Sequence, residues 1–319
     1  MSATRFLQTL MGEASAPFRV LHYDLTYELD PAVCRFSGTQ TVSLRNEADT
    51  PQTSVSFLLN AGLRLDNVDL FDESVGSLAL TLAVSPATYN GRSYQVAVLT
   101  LQAPVPVHGE LQLALHYHLD PTLVTRGEPG NLESLTVDTS ACYAIDAAAG
   151  HFPLLALGDV AALAAPYTLR IAYPADSLSC VPGVLVASSV DGLRCQDTYE
   201  SMSPNLPAFA CAPYVRIADT RGGLSFELFH YVGQEHLSGL LDLGLDLAQL
   251  YHARLGDNGV HAYQLATVGR LNDHRAWAEC RGSAIYLTDA GLHGLDTQPQ
   301  VRQRAAATLA HELFHTWNV

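Results

Sequence analysis

The stretch LHYDLTYELD, residues 21–30, has leucine or tyrosine at every odd position and a polar or charged residue at every even position. Successive side chains of a β-strand point to opposite faces of its sheet, so this period of two predicts a strand with one buried face. The stretch GELQLALHYHLD, residues 109–120, has the same alternation. Both stretches indicate an amino-terminal region built from sheets that are apolar on one side.

Shorter strand-like stretches surround these two and are separated by clusters of Asn, Asp, Gly and Pro. They are FSGTQTVSL (36–44), TSVSFLL (53–59), SYQVAVLTL (93–101), YTLRIAYP (167–174) and GVLVASS (183–189). Many strands without helical patterns between them favour antiparallel sheets packed face to face. We therefore predict a mainly β amino-terminal sandwich domain over residues 1–217.

The pattern changes beyond that point. From residue 234 to residue 255, leucines recur at intervals of three and four, which is typical of an amphipathic helix. Two strand-like stretches follow, HAYQLATVG (261–269) and GSAIYLTD (282–289). We predict that a second domain, with both helices and strands, occupies residues 218–319.

The last segment of the chain predicts one helix over residues 299–318. Asp296 or Thr297 can cap it, Pro299 suits its first turn, and an alanine-rich body follows. This helix carries the sequence HELFH at residues 311–315.

The charge balance limits the classes of partner. The formal net charge is −15, and the basic residues form no cluster of the kind that nucleic acid or an anionic membrane surface requires. No apolar stretch has the length of a secretory signal or a membrane helix. The six cysteines include no C-x-x-C pair, so reduced thiols are expected, with a Cys180 to Cys195 bridge as the alternative. The sequence predicts a soluble, cytoplasmic protein with no nucleic-acid or membrane partner, and it leaves the oligomeric state unknown.

His311 and His315 are four residues apart, so on a helix both imidazoles project from one face and can reach a single Zn²⁺ ion. Glu312 lies about 100° around the helix from His311, where it can reach a metal-bound water without being a ligand. A carboxylate there can take a proton from that water and pass it to a leaving amine. The spacing therefore predicts a zinc site with Glu312 as general base.

A hydrolytic zinc site normally has three protein ligands. The residues upstream of the helix offer several candidates for the third, and no spacing singles one out: His274, Glu279, Asp289, His293 and Asp296.

The segment HELFHTWN, residues 311–318, resembles the signature helix of the glycyl aminopeptidase family of zinc metallopeptidases, which are relatives of the thermolysin-like and leukotriene-hydrolase-like aminopeptidases. The extension Thr316-Trp317-Asn318 makes the resemblance more specific than H-E-x-x-H alone. The resemblance implies a β domain followed by an α+β thermolysin-like metallopeptidase domain, of which residues 218–319 would be the first part.

In that family, a strand with a Gly-Gly-Leu-Glu-His motif precedes the metal helix and lines the substrate cleft. Here the stretch is AWAECRGS, residues 276–283, which keeps the glutamate as Glu279 but has Ala276 and Trp277 at the glycine positions and Cys280 at the histidine. By resemblance, Glu279 would receive the α-ammonium group of a peptide substrate. The departures put the substrate specificity in question, because glycine lets a peptide approach the backbone closely.

The family takes its third zinc ligand from a glutamate on the next helix, which would lie beyond Val319. The resemblance implies a zinc metallo-aminopeptidase that removes amino-terminal residues, such as Gly or Ala, from peptides. One alternative is an inactive fragment or divergent homologue that serves as a binding or scaffold module. Another is an aminopeptidase closer to the leukotriene-hydrolase group.

Overall fold

The computed structural model describes residues 17–70, 80–89, 92–120, 135–137, 141–145, 150–155, 163–269 and 278–317. These ranges are mostly β-sheet with few helices. In chain order the strands are β1 (Phe18–Asp30), β2 (Arg35–Asn46), β3 (Gln52–Asn60), β4 (Leu63–Leu70), β5 (Leu80–Tyr89), β6 (Arg92–Val105), β7 (Glu110–Leu119), β8 (Thr136–Val137), β9 (Cys142–Ala144), β10 (Leu154–Leu155), β11 (Ala165–Pro174), β12 (Leu178–Cys180), β13 (Val184–Asp191), β14 (Arg194–Asn205), β15 (Phe209–Ala212), β16 (Tyr214–Arg221), β17 (Leu224–Tyr231), β18 (Ala262–Val268), β19 (Ala278–Arg281) and β20 (Ala284–Thr288).

The α-helices in these ranges are α1 (Gly239–Leu255), α2 (Asp289–Leu292) and α3 (Pro299–Phe314), with short 3-10 helices at Pro31–Val33 and Glu235–Ser238. None of them combines the length and the apolar character that a membrane crossing requires.

The two alternating stretches of the sequence form β1 and β7, as predicted. Their sheet has the order β13-β14-β11-β1-β2-β7-β4, and β1 pairs with β11 in parallel, Tyr23 opposite Tyr167. The odd-numbered side chains of β1 from Tyr23 to Leu29 are fully buried. Leu21 is only half-buried, because a register shift between Val20 and His22 displaces the alternation there.

A second sheet, with the order β10-β3-β6-β5, packs its apolar side against the same core. The core also contains His151, whose ring lies among the aromatic rings of Tyr27, Phe152 and Phe209. Neither ring nitrogen of His151 has a hydrogen-bond partner within the described ranges. Burial, aided by the positive charge of Arg281, lowers the pKa of His151 from 6.5 to about 3.

A short third sheet, with the order β12-β15-β9-β8, lies between the first core and the last sheet of the chain. The last sheet has the order β16-β17-β18-β20-β19, in which β17, β18 and β20 are parallel. Apolar side chains of α1 and α3 cover one of its faces. The predicted division between residues 217 and 218 falls within β16, and the two-domain organisation stays a prediction.

The helix predicted over residues 234–255 begins with the 3-10 turn and continues as α1. Gly244, in the middle of α1, packs against the ring of Phe226, so closely that a Cβ atom there would lie 2.6 Å from it. A residue with no side chain is therefore required where the helix crosses the sheet.

The prediction of a helix over residues 299–318 was too long. Helix α3 ends at Phe314, His315 is its C-cap, and residues 315–317 form a turn, while Asn318 lies outside the described residues. The Trp317 indole donates a hydrogen bond to the Gly256 carbonyl oxygen at 2.9 Å. This contact with a distant loop draws the chain away from the helix axis.

Candidate metal centre and cleft

The last turn of α3 brings His311 and His315 together. Their Nε2 atoms are 3.1 Å apart, and the rings meet edge to face with centroids at 4.7 Å. Both imidazoles are exposed to solvent. Because the helix ends at the C-cap His315, the second imidazole is positioned by the cap turn as well as by the helix.

Glu312 lies between the two histidines in sequence but is much less exposed than they are. Its side chain is buried, and its carboxylate accepts a hydrogen bond from the backbone N–H of Cys280 on β19. Burial raises the pKa of Glu312 above its ordinary value, although His315, His311 and that hydrogen bond act in the opposite direction. The group is thus a partly desolvated carboxylate, which is the kind of environment that prepares a general base.

The residues fit a zinc ion in their chemistry and spacing. Ligand atoms of His311, Glu312 and His315 all lie within 4.8 Å of one another. With bonds near 2 Å in a tetrahedral site, two ligand nitrogens are separated by about 3.3 Å, close to the distance between the two Nε2 atoms. Two neutral imidazoles and a nearby carboxylate are a typical donor set for this ion.

The upstream candidates for a third ligand do not join this group in the described part of the chain. Asp289 accepts a hydrogen bond from Gln234 at 2.5 Å, and neither His293 nor Asp296 lies within ligand distance of the histidine pair. His274 lies outside the described residues.

Glu279 lies on the edge strand β19 and forms an ion pair with Arg281 on the same strand. Arg281 also donates from Nε to the Ile145 carbonyl oxygen at 3.1 Å. Both side chains of the pair are about one quarter exposed. A spacing of two residues on a strand places both side chains on one face, so this pairing is consistent with the sequence pattern. Ala276 and Trp277 lie outside the described residues.

A cleft of about 1240 Å³ is lined by His315 together with the Glu279–Arg281 pair. Its walls include Glu279 and Glu312, the turn after α3, part of β14, and the loop from Asn258 to Ala262. A cleft of this volume can accommodate a small molecule or a peptide.

The loop wall was not identified in the sequence. Asn258 donates from its side-chain amide to the Thr316 hydroxyl oxygen at 2.7 Å, and Thr316 donates to the Leu313 carbonyl oxygen at 2.8 Å. The only local signal is the Gly-Asp-Asn-Gly sequence at 256–259, which is typical of a turn and says nothing about its partner.

The sequence matches no family model, and no curated protein matches it. Solved structures do match. The M1 zinc metallopeptidase from Deinococcus radiodurans is 17% identical with a TM-score of 0.66, and the match covers 99% of this chain and 68% of that chain. A mutant M1 zinc metallopeptidase from the same organism, bound to a Tyr-Ser-Ala substrate, is 17% identical with a TM-score of 0.62, and 92% and 64% of the two chains are covered.

A two-domain M1 zinc metallopeptidase mutant bound to L-arginine is also 17% identical, with a TM-score of 0.63 and coverage of 93% and 64%. The chain therefore has the fold of M1 zinc metallopeptidases over the matched span. It spans less than two thirds of the length of the two ligand-bound structures.

Proposed function

We propose that this chain belongs to a zinc metallo-aminopeptidase, which hydrolyses the amino-terminal peptide bond of its substrates. The observation that carries the proposal is the pair of imidazole nitrogens at 3.1 Å with the buried Glu312 carboxylate beside them, at a cleft that His315 and Glu312 line. The likeness in fold to M1 zinc metallopeptidases supports the same reaction class.

His311 and His315 would hold zinc through Nε2. When bound, zinc supplies a Lewis acid that lowers the pKa of a coordinated water toward neutrality. Glu312 accepts a proton at its carboxylate oxygen and returns it to the nitrogen of the leaving amine. Its partly desolvated position suits both tasks, because a raised carboxylate pKa brings proton uptake closer to neutral pH.

Glu279 would bind the α-ammonium group of the substrate. A charge-assisted contact of this kind contributes about 1.5–3 kcal/mol to binding. Arg281 forms an ion pair with the same carboxylate, so Glu279 would contact both the Arg281 guanidinium and the substrate ammonium group. Arg281 would thereby orient the carboxylate toward the cleft before substrate binds.

The finer assignments rest on the resemblance of HELFHTWN and AWAECRGS to the glycyl aminopeptidase family. They are a β-sandwich over residues 1–217, a thermolysin-like domain that begins at residue 218, a third zinc ligand beyond Val319, and a preference for amino-terminal Gly or Ala.

The test uses amino-acid anilides and measured zinc content. It is run on the 319-residue chain and, where the gene continues past Val319, on the longer product. Glu312→Gln is the informative variant, because the glutamine oxygen can still accept the Cys280 hydrogen bond and both imidazoles are kept. We expect it to bind zinc as the wild type does and to lose hydrolysis by about 10²-fold or more.

His236→Gln, a change of an exposed histidine outside the cleft, is the matched control and should keep the full rate. A Glu312→Gln protein that hydrolyses anilides at the wild-type rate excludes the assigned base. A longer product that binds zinc and hydrolyses no anilide or peptide indicates the alternative, a binding or scaffold module.

A further inference from the structure

A second group of potential metal ligands lies where α1 ends. His252 is in the last turn of α1, and Asp257 and His261 lie on the loop that follows. His252 Nδ1 is 3.8 Å from one Asp257 oxygen, and His261 Nε2 is 3.5 Å from the other. The ligand atoms of all three residues lie within 4.8 Å of one another.

The hydrogen bonds of His252 favour one of its nitrogens as the ligand. Nε2 lies 3.2 Å from the Val260 carbonyl oxygen and 3.1 Å from the Tyr263 hydroxyl. The carbonyl can only accept, so the tautomer with the proton on Nε2 satisfies both contacts, with the hydroxyl as a second acceptor. In the neutral imidazole, Nδ1 is then an unprotonated nitrogen that faces the Asp257 carboxylate. Two electron-rich groups that face each other in this way favour a cation between them.

Packing restricts the orientation of the His252 ring. The His252 side chain is only 15% exposed, and its ring packs edge to face against Trp317 with centroids at 5.0 Å. A packed histidine that donates from one ring nitrogen to a carbonyl while the other nitrogen faces a carboxylate has the tautomer and the fixed orientation of metal-bound histidines.

The spacing is within reach of a transition metal. Ligand atoms around a tetrahedral zinc ion with bonds near 2 Å are separated by about 3.3 Å. One ligand atom from each of the three residues lies within 4.8 Å of the others, so side-chain rotations would bring them to a single ion. Two imidazoles favour Zn²⁺ and related ions over Ca²⁺ or Mg²⁺, which prefer oxygen ligands.

We propose that His252 Nδ1, Asp257 and His261 Nε2 form a second zinc-binding site, distinct from the His311–His315 pair. The site does not depend on the proposed peptidase reaction. A bound ion would fasten the loop of residues 256–261 to the end of α1.

That loop connects the second site to the cleft. It includes the cleft residues from Asn258 to His261, and it receives the Trp317 hydrogen bond at the Gly256 carbonyl oxygen. An ion at this position would therefore hold one wall of the cleft and the turn that follows α3, so we assign it a structural role.

The experiment begins with the double variant His311→Gln/His315→Gln, which removes the first pair. Titration with Zn²⁺ alone, followed by equilibrium dialysis and elemental analysis, should show about one equivalent bound per chain. Adding His261→Gln or Asp257→Asn should weaken this binding by about tenfold or more, whereas adding His236→Gln should leave it unchanged. The exposed positions of His261 and Asp257 favour variants that still fold.

Two further readouts do not depend on stoichiometry. Zinc should raise the Tm of the double variant by a few degrees and should not raise that of the triple variant with His261→Gln. Anomalous diffraction from a zinc-soaked crystal should place the ion between the three side chains. No bound zinc in the double variant, or zinc located elsewhere, such as at His116 and Asp69, would overturn the proposal and leave the three residues as a surface ion-pair group.

Discussion

The Asn258 side-chain amide donates to the Thr316 hydroxyl oxygen across 2.7 Å, and this bond joins a surface loop to the residue that follows His315. The same amide lies 3.3 Å from the Thr316 carbonyl oxygen. Thr316 is buried, so the pair is shielded from water. The turn that carries the His315 imidazole is thus held by a residue that lies 58 positions before Thr316 in the chain.

We expect Asn258→Ala to lower the free energy of unfolding by about 1–2 kcal/mol, because it removes a partly buried hydrogen bond and leaves the buried Thr316 hydroxyl without this donor. Urea denaturation monitored by circular dichroism measures the change. Asn67→Ala is the control, since Asn67 is exposed and bonds Asp69 at the surface, and it should change stability little. Equal effects of the two changes would argue against a stabilising role for the hydrogen bond between Asn258 and Thr316.

Glu279→Gln tests the proposed amine contact. We expect the KM for peptides with a free amino terminus to rise by about tenfold to a hundredfold, because a charge-assisted contact is lost. Glu200→Gln, on an exposed glutamate that lines the same cleft, is the matched change and should leave KM near the wild-type value. The role of Glu279 is wrong if both variants retain the wild-type KM.

Gly244→Ala and Gly239→Ala should differ in their effect on stability, although both glycines lie in α1. Alanine in a helix interior is ordinarily more stable than glycine by up to about 1 kcal/mol. At Gly244 the new methyl group would meet the Phe226 ring, so we expect a loss of about 1–3 kcal/mol from overpacking. At Gly239 nothing lies within 4 Å of the added carbon, so we expect no loss. Thermal denaturation compares the pair directly.

His151 predicts a loss of stability in acid. Its pKa is about 3 in the folded protein and near 6.5 when unfolded, so the unfolded chain binds one more proton between these values. The free energy of unfolding therefore decreases by about 1.4 kcal/mol per pH unit as the pH falls from 6.5 toward 3.

The contribution of His151 is the difference between the wild type and His151→Leu, because the carboxylates titrate in both proteins. We expect a shallower decline of unfolding free energy with falling pH in the variant, measured by urea denaturation from pH 7 to pH 4. His236→Gln should follow the wild-type curve. Parallel curves for wild type and His151→Leu would show that the buried imidazole does not titrate as described.

Local patterns in the sequence predicted the elements whose side chains face one core. The alternation in residues 21–30 identified β1, and the spacing of His311 and His315 predicted two imidazoles on one face of α3. These inferences needed only the geometry of a single strand or helix. The partial exposure of Leu21 could not be predicted in this way, because a β-bulge depends on how β1 pairs with β2.

The features that the sequence did not reveal depend on contacts between distant segments. The turn after Phe314 accepts a hydrogen bond from Asn258 and donates one to the Gly256 carbonyl oxygen, and the Glu312 carboxylate accepts from the Cys280 backbone N–H. A turn-forming sequence or an edge strand predicts local structure but does not indicate which distant residues it contacts. The pairing of Glu279 with Arg281 could have been inferred from the strand spacing alone.

The parallel pairing of β1 with β11 has a consequence for how the chain folds. The Tyr23 hydroxyl donates to the Leu163 carbonyl oxygen, 140 residues later, and the strand beside β1 on that side comes from the same distant region. On its other side β1 pairs with β2, its neighbour in sequence. The chain must lose the entropy of closing this long loop before the contacts between β1 and β11 can stabilise it. We therefore expect folding to be slow. During synthesis β1 can form a hairpin early, but one of its edges must wait for β11 to leave the ribosome.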